Sequence, residues 1–267
     1  MPYIGYGFGI GRAHKAGVAY DATAASYFAA VPNAFDAARK TIINTLIAGL
    51  RTDGNLTKLD RLWLFANTTT GNAVIDVIGN NAATLVNAPA FVADQGYTGD
   101  GATSYMNLQF TPSTQGTNFV QNSASMGFYS RTDSIQGNKV DLGSDNGTIY
   151  NKIYGRDTGG VIYSYINDTS ATMPSAAAAN SLGLISVRRT DATNCAVFQN
   201  GTSLLAYTGN SGIIDNVQYA LASNDAGTPL RFTTRQLSCI YFGSGAIDQS
   251  ALYTRIQQYM TDLGTNV

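Results

Sequence analysis

The pattern of apolar and polar positions divides the chain into a helical front and a strand-rich body. The stretch of residues 96–110 marks the start of the body, because its three early glycines predict a tight turn. From residue 105 onward the side chains alternate between two faces, which is typical of a half-buried strand. One face of this strand holds Tyr105, Asn107 and Gln109, and the other holds Met106, Leu108 and Phe110.

Helical signals precede this stretch, between residues 21 and 66. Asp21 is suited to cap a first, alanine-rich helix, and Asn33 is suited to cap a second helix. Asp53 and Gly54 predict the end of that second helix. Its apolar face is formed by Phe35, Ala38, Ile42, Leu46 and Leu50. A third helical piece is indicated by the spacing of Leu59, Leu62 and Trp63.

The rest of the chain alternates short apolar segments with turn residues, which indicates antiparallel strands. An Asn200-Gly201 turn predicts a hairpin, because both positions tolerate positive φ. A terminal helix is predicted from Asp248, its cap, to Gly264, its stop. The predicted strands cover residues 73–78, 84–86, 119–131, 138–142, 148–154, 161–166, 183–188, 195–199, 202–207, 217–222 and 236–242. The fold class that follows is mainly β, an antiparallel β-sandwich with a small N-terminal helical region and a C-terminal helix.

We expect three parts: an arm of residues 1–20, a helical region of residues 21–66, and a β-sandwich with its terminal helix over residues 67–267. In the arm, glycines alternate with apolar side chains that would lie on one side of an extended segment. Such a segment could dock on another subunit, and a flexible terminus is the alternative. The predicted docking residues are Ile4, Tyr6, Phe8, Ile10 and Arg12.

Composition excludes several functions. The net charge of −1 argues against binding to nucleic acid or to an anionic membrane surface. The sequence contains no glutamate, and its single histidine is His14, so a catalytic triad with histidine or a multi-histidine zinc site is not expected. We therefore predict no enzymatic activity and no cofactor. Calcium is the one metal considered, with oxygen ligands from Asp94, Asp100, Asp141, Asp145 and Asn146.

Two further features bear on where the protein is made. Cys195 and Cys239 lie in separate apolar segments and are interpreted as buried free thiols, although a disulfide between neighbouring strands stays open. The N-terminus carries no pattern typical of a signal peptide, and no segment reaches the ~20 apolar residues of a membrane span. We expect synthesis in a reducing cytoplasm.

The body resembles the concanavalin A-like, laminin-G-like jelly rolls in three places. Residues 96–105 read Gly-Tyr-Thr-Gly-Asp-Gly-Ala-Thr-Ser-Tyr, similar to the opening strand of that family, and residues 197–201 read Val-Phe-Gln-Asn-Gly, similar to its hairpin. The strand-then-helix ending over residues 241–264 also fits. The resemblance covers roughly residues 70–264 and implies a jelly-roll sandwich.

A second resemblance concerns the helical prefix, which ends in Lys-Leu-Asp-Arg-Leu-Trp at residues 58–63. Such a prefix before a sandwich resembles proteins of tailed bacteriophages and prophages, which implies a virion component. The predicted function is thus a non-enzymatic virion structural protein, such as a decoration, fibre or tail-associated protein. Its partners would be capsid, neck or tail proteins, in a homo-oligomer or symmetric assembly located in the virion.

The alternative is a carbohydrate-binding module that recognises host surface polysaccharide. Sugars bind to aromatic rings and to planar amides or carboxylates, although for each candidate taken alone an ordinary strand-surface tyrosine or turn residue is the favoured interpretation. Glycoside hydrolysis is disfavoured, because no Asp-x-Asp pair stands on a predicted strand. The candidate glycan-binding residues are Tyr97, Asp100, Tyr105, Asn107, Tyr129, Arg131, Tyr154 and Tyr163, with Tyr150 and Asn167 beside them.

Overall fold

The computed structural model of the protein describes residue 1, residues 19–170 and residues 172–267. Over these residues the chain forms two β-sheets packed face to face, with helices on one side. The prediction of a mainly β, antiparallel jelly-roll sandwich with an N-terminal helical region and a C-terminal helix is confirmed. The predicted docking arm, with Ile4, Tyr6, Phe8, Ile10 and Arg12, lies outside the described residues.

The first predicted helix and the terminal helix form where their caps indicate. Asp21 accepts a hydrogen bond from the backbone of Thr23, and Asp248 accepts two from the first turn of the terminal helix. The second helix begins later than predicted, because Asp36 and not Asn33 is its cap, while Asn33 bonds to Asn72 instead. The helices are α1 (Ala22–Ala30), α2 (Ala37–Thr52), α3 (Thr70–Ala73), α4 (Pro112–Gln115) and α5 (Gln249–Asp262), with a 3-10 turn at Leu56–Lys58.

The strands divide into an eight-stranded and a nine-stranded sheet. In chain order they are β1 (Leu59–Leu64), β2 (Thr84–Val86), β3 (Ala90–Val92), β4 (Gly96–Thr98), β5 (Tyr105–Asn107), β6 (Ala124–Ser130), β7 (Leu142–Asp145), β8 (Tyr150–Asp157), β9 (Val161–Asp168), β10 (Ser175–Ala177), β11 (Gly183–Arg189), β12 (Asn194–Gln199), β13 (Thr202–Thr208), β14 (Tyr219–Ala220), β15 (Ser223–Asp225), β16 (Thr228–Leu230) and β17 (Gln236–Gly243).

The eight-stranded sheet runs β13-β12-β11-β6-β17-β4-β3, with β1 paired to β17. The nine-stranded sheet runs β10-β9-β8-β7-β14-β5-β2, with the β15–β16 hairpin joined to β7. Among the described residues, every strand pair other than β15 with β7 is antiparallel. The predicted hairpin is confirmed as β12 and β13, with φ of +52° at Asn200 and +76° at Gly201.

The predicted third helical piece is wrong, because residues 59–64 form strand β1. Its residues pair with β17, and Trp63 lies opposite Ile240. Both faces of β1 are covered: Trp63 faces the space between the sheets, while Leu62 and Leu64 face the helices. Burial on both faces removes the alternation that marks a strand, so the leucine spacing imitates a helix.

Other predicted strands differ in extent. Residues 73–78 do not form a strand, because the Asp76 carboxylate accepts backbone hydrogen bonds from Leu62, Ile78 and Gly79 and turns the chain there. The predicted strand over residues 138–142 begins only at Leu142, and the one over residues 217–222 shrinks to two residues. The predicted strand over residues 84–86 has the predicted bounds, and the other predicted strands occur with one or both ends shifted.

The sandwich has two apolar cores, one on each side of the eight-stranded sheet. One core lies between the sheets and includes Phe110, Phe128 and Phe242, all fully buried. The other lies between the eight-stranded sheet and helices α1, α2 and α5. The helical layer thus covers the outer face of the eight-stranded sheet.

Polar contacts fix the terminal helix to the N-terminal helical region. Arg255 of α5 pairs with Asp53 at 2.7 Å, and Asn55 and Asp248 exchange two hydrogen bonds of 3.0 Å. In the described part of the chain, no helix is both long and apolar enough to span a bilayer. Cys195 and Cys239 are buried and unpaired, as the sequence predicts.

Gly96 illustrates how closely β4 and β17 approach. Its φ is +111°, and a Cβ there would lie 2.0 Å from the backbone oxygen of Leu237. We expect Gly96→Ala to lower the free energy of unfolding by about 2 to 3 kcal/mol, because it adds a clash to an unfavourable φ. The control is Gly159→Ala, where φ is +85° and nothing lies within 4 Å; about 1 kcal/mol is expected there. Equal losses in urea unfolding of the two variants would contradict this account.

Candidate functional site

The outer face of the nine-stranded sheet carries a cluster of aromatic and charged side chains. On β8, Tyr150, Lys152 and Tyr154 alternate with Ile153, which is buried between the sheets. Across the strand pair, Lys152 lies opposite Tyr165 and Tyr154 lies opposite Tyr163. Because paired residues share a face, these five side chains form one outward surface.

A cluster of four charges lies at the centre of this surface. Lys152 is only 2 % exposed, donates to Asp145, and lies 2.6 Å from an oxygen of Asp225. The other oxygen of Asp225 is 3.1 Å from Nε of Arg231. Arg231 also donates to the side chain of Asn138, at 2.8 Å. The two positive and two negative charges balance, so the cluster carries no net charge.

The pairing of β15 with β7 creates this cluster. Asp225 lies in register with Asp145, because β15 runs parallel to β7 at that point. Burial alone would raise the pKa of Asp225, but hydrogen bonds from Lys152 and Ser223 outweigh it, and the pKa is lowered. Asp225 is therefore ionised at neutral pH and serves as the counter-ion of both cations.

Tyrosine rings flank the charges. The rings of Tyr150 and Tyr165 are 5.0 Å apart, and those of Tyr154 and Tyr163 meet edge to face at 6.3 Å. Burial raises the pKa of Tyr154 and of Tyr165 to about 12. Both phenols therefore keep their protons at neutral pH and can donate hydrogen bonds.

The rings and charges enclose an open cleft of about 300 Å³, which we name the Lys152 cleft. This volume is at the lower end of the range found for small-molecule sites. Such a cleft can stack a flat or ring-shaped ligand on tyrosine and hydrogen-bond it from several sides. The cleft is lined by Asn138, Asp145, Tyr150, Lys152, Tyr154, Tyr165, Met173 and Arg231.

Four of the eight predicted glycan residues lie on this outer face. Tyr154 and Tyr163 belong to the aromatic group at the cleft. Tyr105 and Asn107 lie further across the same sheet, where the ring of Tyr105 is 4.6 Å from that of Tyr219. Asn107 is in register with Tyr219, which is in register with Gly143 and thus with Lys152. The alternation of β5 therefore placed its polar side correctly.

Two predicted residues are core tyrosines, and their proposed role as sugar platforms does not fit their burial. Tyr97 is fully buried between the sheets and donates to the backbone of Thr70. Tyr129 is fully buried beneath the helical layer and donates to Gln257 of α5. Neither ring can stack on a ligand. Tyrosine is amphipathic and suits both a core and a surface. The sequence alone does not show which faces of the strands are covered by a second layer.

The remaining two predicted residues have local structural partners. Asp100 accepts backbone hydrogen bonds from Ser104, Thr103 and Ala102, and these bonds hold its pKa well below the usual range. It organises the turn between β4 and β5. Arg131 donates to the side chain of Gln236, beside the eight-stranded sheet. Neither residue lines the Lys152 cleft.

Sequence reasoning missed the charged centre of the cleft. The residues it did not single out as glycan candidates are Asn138, Asp145, Lys152, Tyr165, Asp225 and Arg231. A signal was present for two of them, since Lys152 and Tyr165 share the alternation of Tyr150, Tyr154 and Tyr163. Asp225 ends the first strand of the β15–β16 hairpin and Arg231 directly follows its second strand, and the sequence does not reveal which strand this hairpin pairs with.

The predicted calcium ligands do not converge. Asp94 pairs with Arg39, Asp141 with Arg235 and Asp145 with Lys152, so each of these carboxylates already faces a cation. Asn146 donates to Asp215. Within residues 19–170 and 172–267, no group of three or more His, Cys, Asp or Glu side chains is arranged around a common metal position.

Comparison with known proteins defines the class of fold. No protein-family model matches the chain, and no curated protein matches it. Solved structures do match. The receptor-binding domain of a botulinum neurotoxin C/D mosaic serotype has a TM-score of 0.52 at 9 % identity, over 74 % of this chain and 51 % of that one. A Trypanosoma rangeli sialidase has a TM-score of 0.51 at 10 % identity, over 82 % of this chain and 39 % of that one.

These values show a shared β-sandwich fold. The chain spans about half the length of the first structure and less of the second. At such low identity the likeness extends to the fold and not to individual site residues.

Proposed function

We propose that the protein is a carbohydrate-binding module whose site is the Lys152 cleft. The observation that supports this most is the convergence of tyrosine rings and ion-paired polar groups in one cleft on the outer side of the nine-stranded sheet. Sugars present an apolar ring face and many hydroxyl groups, so their sites combine aromatic surfaces with hydrogen-bonding groups.

The charge balance of the cleft favours a hydroxyl-rich ligand. Lys152 and Arg231 are neutralised by Asp145 and Asp225, so a ligand does not need a charge to enter. Carboxylates accept hydrogen bonds, whereas ammonium, guanidinium and phenol groups donate them. A sugar hydroxyl does both, and it can therefore bond to either kind of group.

The same geometry supports binding more than hydrolysis. A glycoside hydrolase needs one carboxyl group that stays protonated, and this requires a raised pKa. The pKa of Asp225 is instead lowered, with Lys152 in contact. The absence of enzymatic activity stays a prediction of the sequence.

Similar structures give limited support. One is named as a receptor-binding domain of a neurotoxin, and another as a sialidase in complex with a difluorosialic acid. The first name describes binding of a receptor, and the second describes a complex with a sugar derivative. Because the identities are near 10 %, the proposal depends on the cleft itself.

A glycan array tests the proposal, with Tyr150→Ala and Tyr253→Ala compared to the wild type. Tyr150 lines the cleft, and Tyr253 packs on the helical side of the molecule. For any glycan that binds, we expect Tyr150→Ala to raise the Kd by about fivefold to tenfold, because a stacking ring is lost. Tyr253→Ala should leave the Kd unchanged.

Thermal unfolding of both variants serves as the control for correct folding. The proposal is overturned if no glycan on a broad array binds the folded protein. It is also overturned if Tyr150→Ala and Tyr253→Ala change the affinity equally.

The virion role stays a prediction that is compatible with glycan binding. Its support is the resemblance of the helical prefix and the composition of residues 1–20, which lie mostly outside the described part of the chain. Co-purification of the protein with capsid, neck or tail proteins would support it. A folded protein that associates with none of these proteins would contradict the virion role.

A further inference from the structure

A second groove lies on the opposite side of the molecule, on the outer surface of the eight-stranded sheet near its β13 edge. Its volume is about 320 Å³. Arg188, Ala196 and Ala206 lie in register on β11, β12 and β13 and share this surface. Ser186, two residues before Arg188 on β11, lies on the same face of the sheet and donates to Gln249 of α5. This face is therefore the one that points toward the helices. The two alanines leave a depression beside a much longer side chain.

Among the arginines of the described residues, Arg188 alone makes neither an ion pair nor a hydrogen bond. Single nitrogens of other arginines are also buried without a partner, namely in Arg39, Arg61, Arg131, Arg156 and Arg189. The guanidinium of Arg188 lies over the ring of Phe198, with Cζ 4.8 Å from the ring centroid. Its Nε is buried and has no hydrogen-bond partner. Arg131 donates to Gln236. The described arginines that form ion pairs with aspartate are Arg39, Arg51, Arg61, Arg156, Arg189, Arg231, Arg235 and Arg255.

The nearest acidic residue along the chain is engaged elsewhere. Asp191 accepts hydrogen bonds from Thr193 and Asn194 within its own turn, and these bonds hold its pKa well below the usual range. Among the ion pairs of the described residues, none joins Asp191 to Arg188. A buried hydrogen-bond donor without a partner is unfavourable. Nε of Arg188 would therefore be stabilised by an acceptor bound in the groove.

We propose that this groove binds an oxyanion group, a carboxylate, sulfate or phosphate, through Arg188. A guanidinium presents parallel N–H groups that match the two oxygens of such an anion. Stacking on Phe198 holds the guanidinium in place, which lowers the entropy lost on binding. Thr190 and Thr208 line the groove and supply hydroxyl groups. The anion can be a free ion or the carboxylate of an acidic sugar.

The site is independent of the Lys152 cleft. The two lie on opposite outer faces of the sandwich, and the groove carries an unpaired cation where the cleft has balanced charges. Failure of glycan binding at the cleft would therefore leave this proposal unaffected, and the reverse also holds.

Titration of the full chain at low ionic strength tests the proposal, with sulfate, phosphate, glucuronate and neutral glucose as probes. We expect the wild type to bind the three anions and not glucose at this groove. Arg188→Gln should raise the Kd for the anions by about tenfold or more, since hydrogen bonds between the guanidinium and the anion are lost. Arg131→Gln, the matched control, should stay within about twofold of the wild type.

The probes separate the two sources of anion. Tighter binding of glucuronate than of sulfate would indicate an acidic sugar, and the reverse order would indicate a free ion. In the wild type, the Nε–H resonance of Arg188 should shift and exchange more slowly with solvent when the anion is added, which tests the contact even if Arg188→Gln does not fold. Equal affinities of Arg188→Gln and the wild type, or an unchanged Nε–H resonance under saturating anion, would overturn the proposal.

Discussion

Lys152→Met is expected to lower the free energy of unfolding by about 3 to 5 kcal/mol, because it removes the buried cation that Asp145 and Asp225 share and leaves Asp145 without a counter-ion. Lys152 is almost fully buried and contacts both Asp145 and Asp225. Arg231 reaches Asp225 but no contact joins it to Asp145 among the ion pairs of the described residues. Methionine keeps the apolar length of the side chain, so the change tests the charge.

The rescue variant is Lys152→Met combined with Asp145→Asn and Asp225→Asn. We expect it to regain most of the lost stability, because neutral amides do not need a counter-ion. The control is Lys58→Met, because Lys58 is half-buried and forms none of the ion pairs found in residues 19–170 and 172–267. We expect this variant to lose less than about 1 kcal/mol of unfolding free energy. Equilibrium urea unfolding measures all of these. A loss for Lys152→Met no larger than that of the control would contradict the proposed role.

The second large effect is expected at Arg235, whose side chain is 1 % exposed and pairs with the equally buried Asp141 at 3.1 Å. The same guanidinium donates to the backbone oxygens of Thr132 and Ser134 and to the hydroxyl of Ser181. It thus joins the start of β17 to the segments that follow β6 and precede β11. Arg235→Met should lower the free energy of unfolding by about 3 to 5 kcal/mol, since Asp141 would stay buried without a cation.

The control for Arg235 is Arg51→Met. Arg51 pairs with Asp21, but its side chain is 47 % exposed. A pair at the surface contributes little to stability, so we expect a much smaller loss for Arg51→Met than for Arg235→Met. The difference between the two variants in urea unfolding therefore measures the effect of burial, and similar losses would mean that the Arg235 network is not important for stability.

Local chemistry made part of the fold predictable. The hairpin of β12 and β13 depends on the Asn200-Gly201 turn, and α5 depends on its Asp248 cap, so both are encoded within a few residues. Strand β1 was not predictable in this way. Its identity is decided by pairing with β17, far along the chain, and its two buried faces hide the period of a strand.

The candidate site divides in the same way. The aromatic part could be predicted, because Tyr154 and Tyr163 alternate with apolar neighbours along β8 and β9. The ion-pair network could not, since Asp225 reaches Lys152 only through the pairing of β15 with β7. The buried tyrosines Tyr97 and Tyr129 were misplaced because a tyrosine suits a core as well as a surface.

The position of β17 has a consequence for synthesis. This strand hydrogen-bonds to β1, β4 and β6, all of which a ribosome releases well before residue 236. Until residues 236–243 emerge, the nascent polypeptide carries strand edges that no neighbour protects, and such edges invite association with other chains. Completion of this layer must therefore wait until translation has passed β17, and a product terminated earlier would depend on chaperones to stay dispersed.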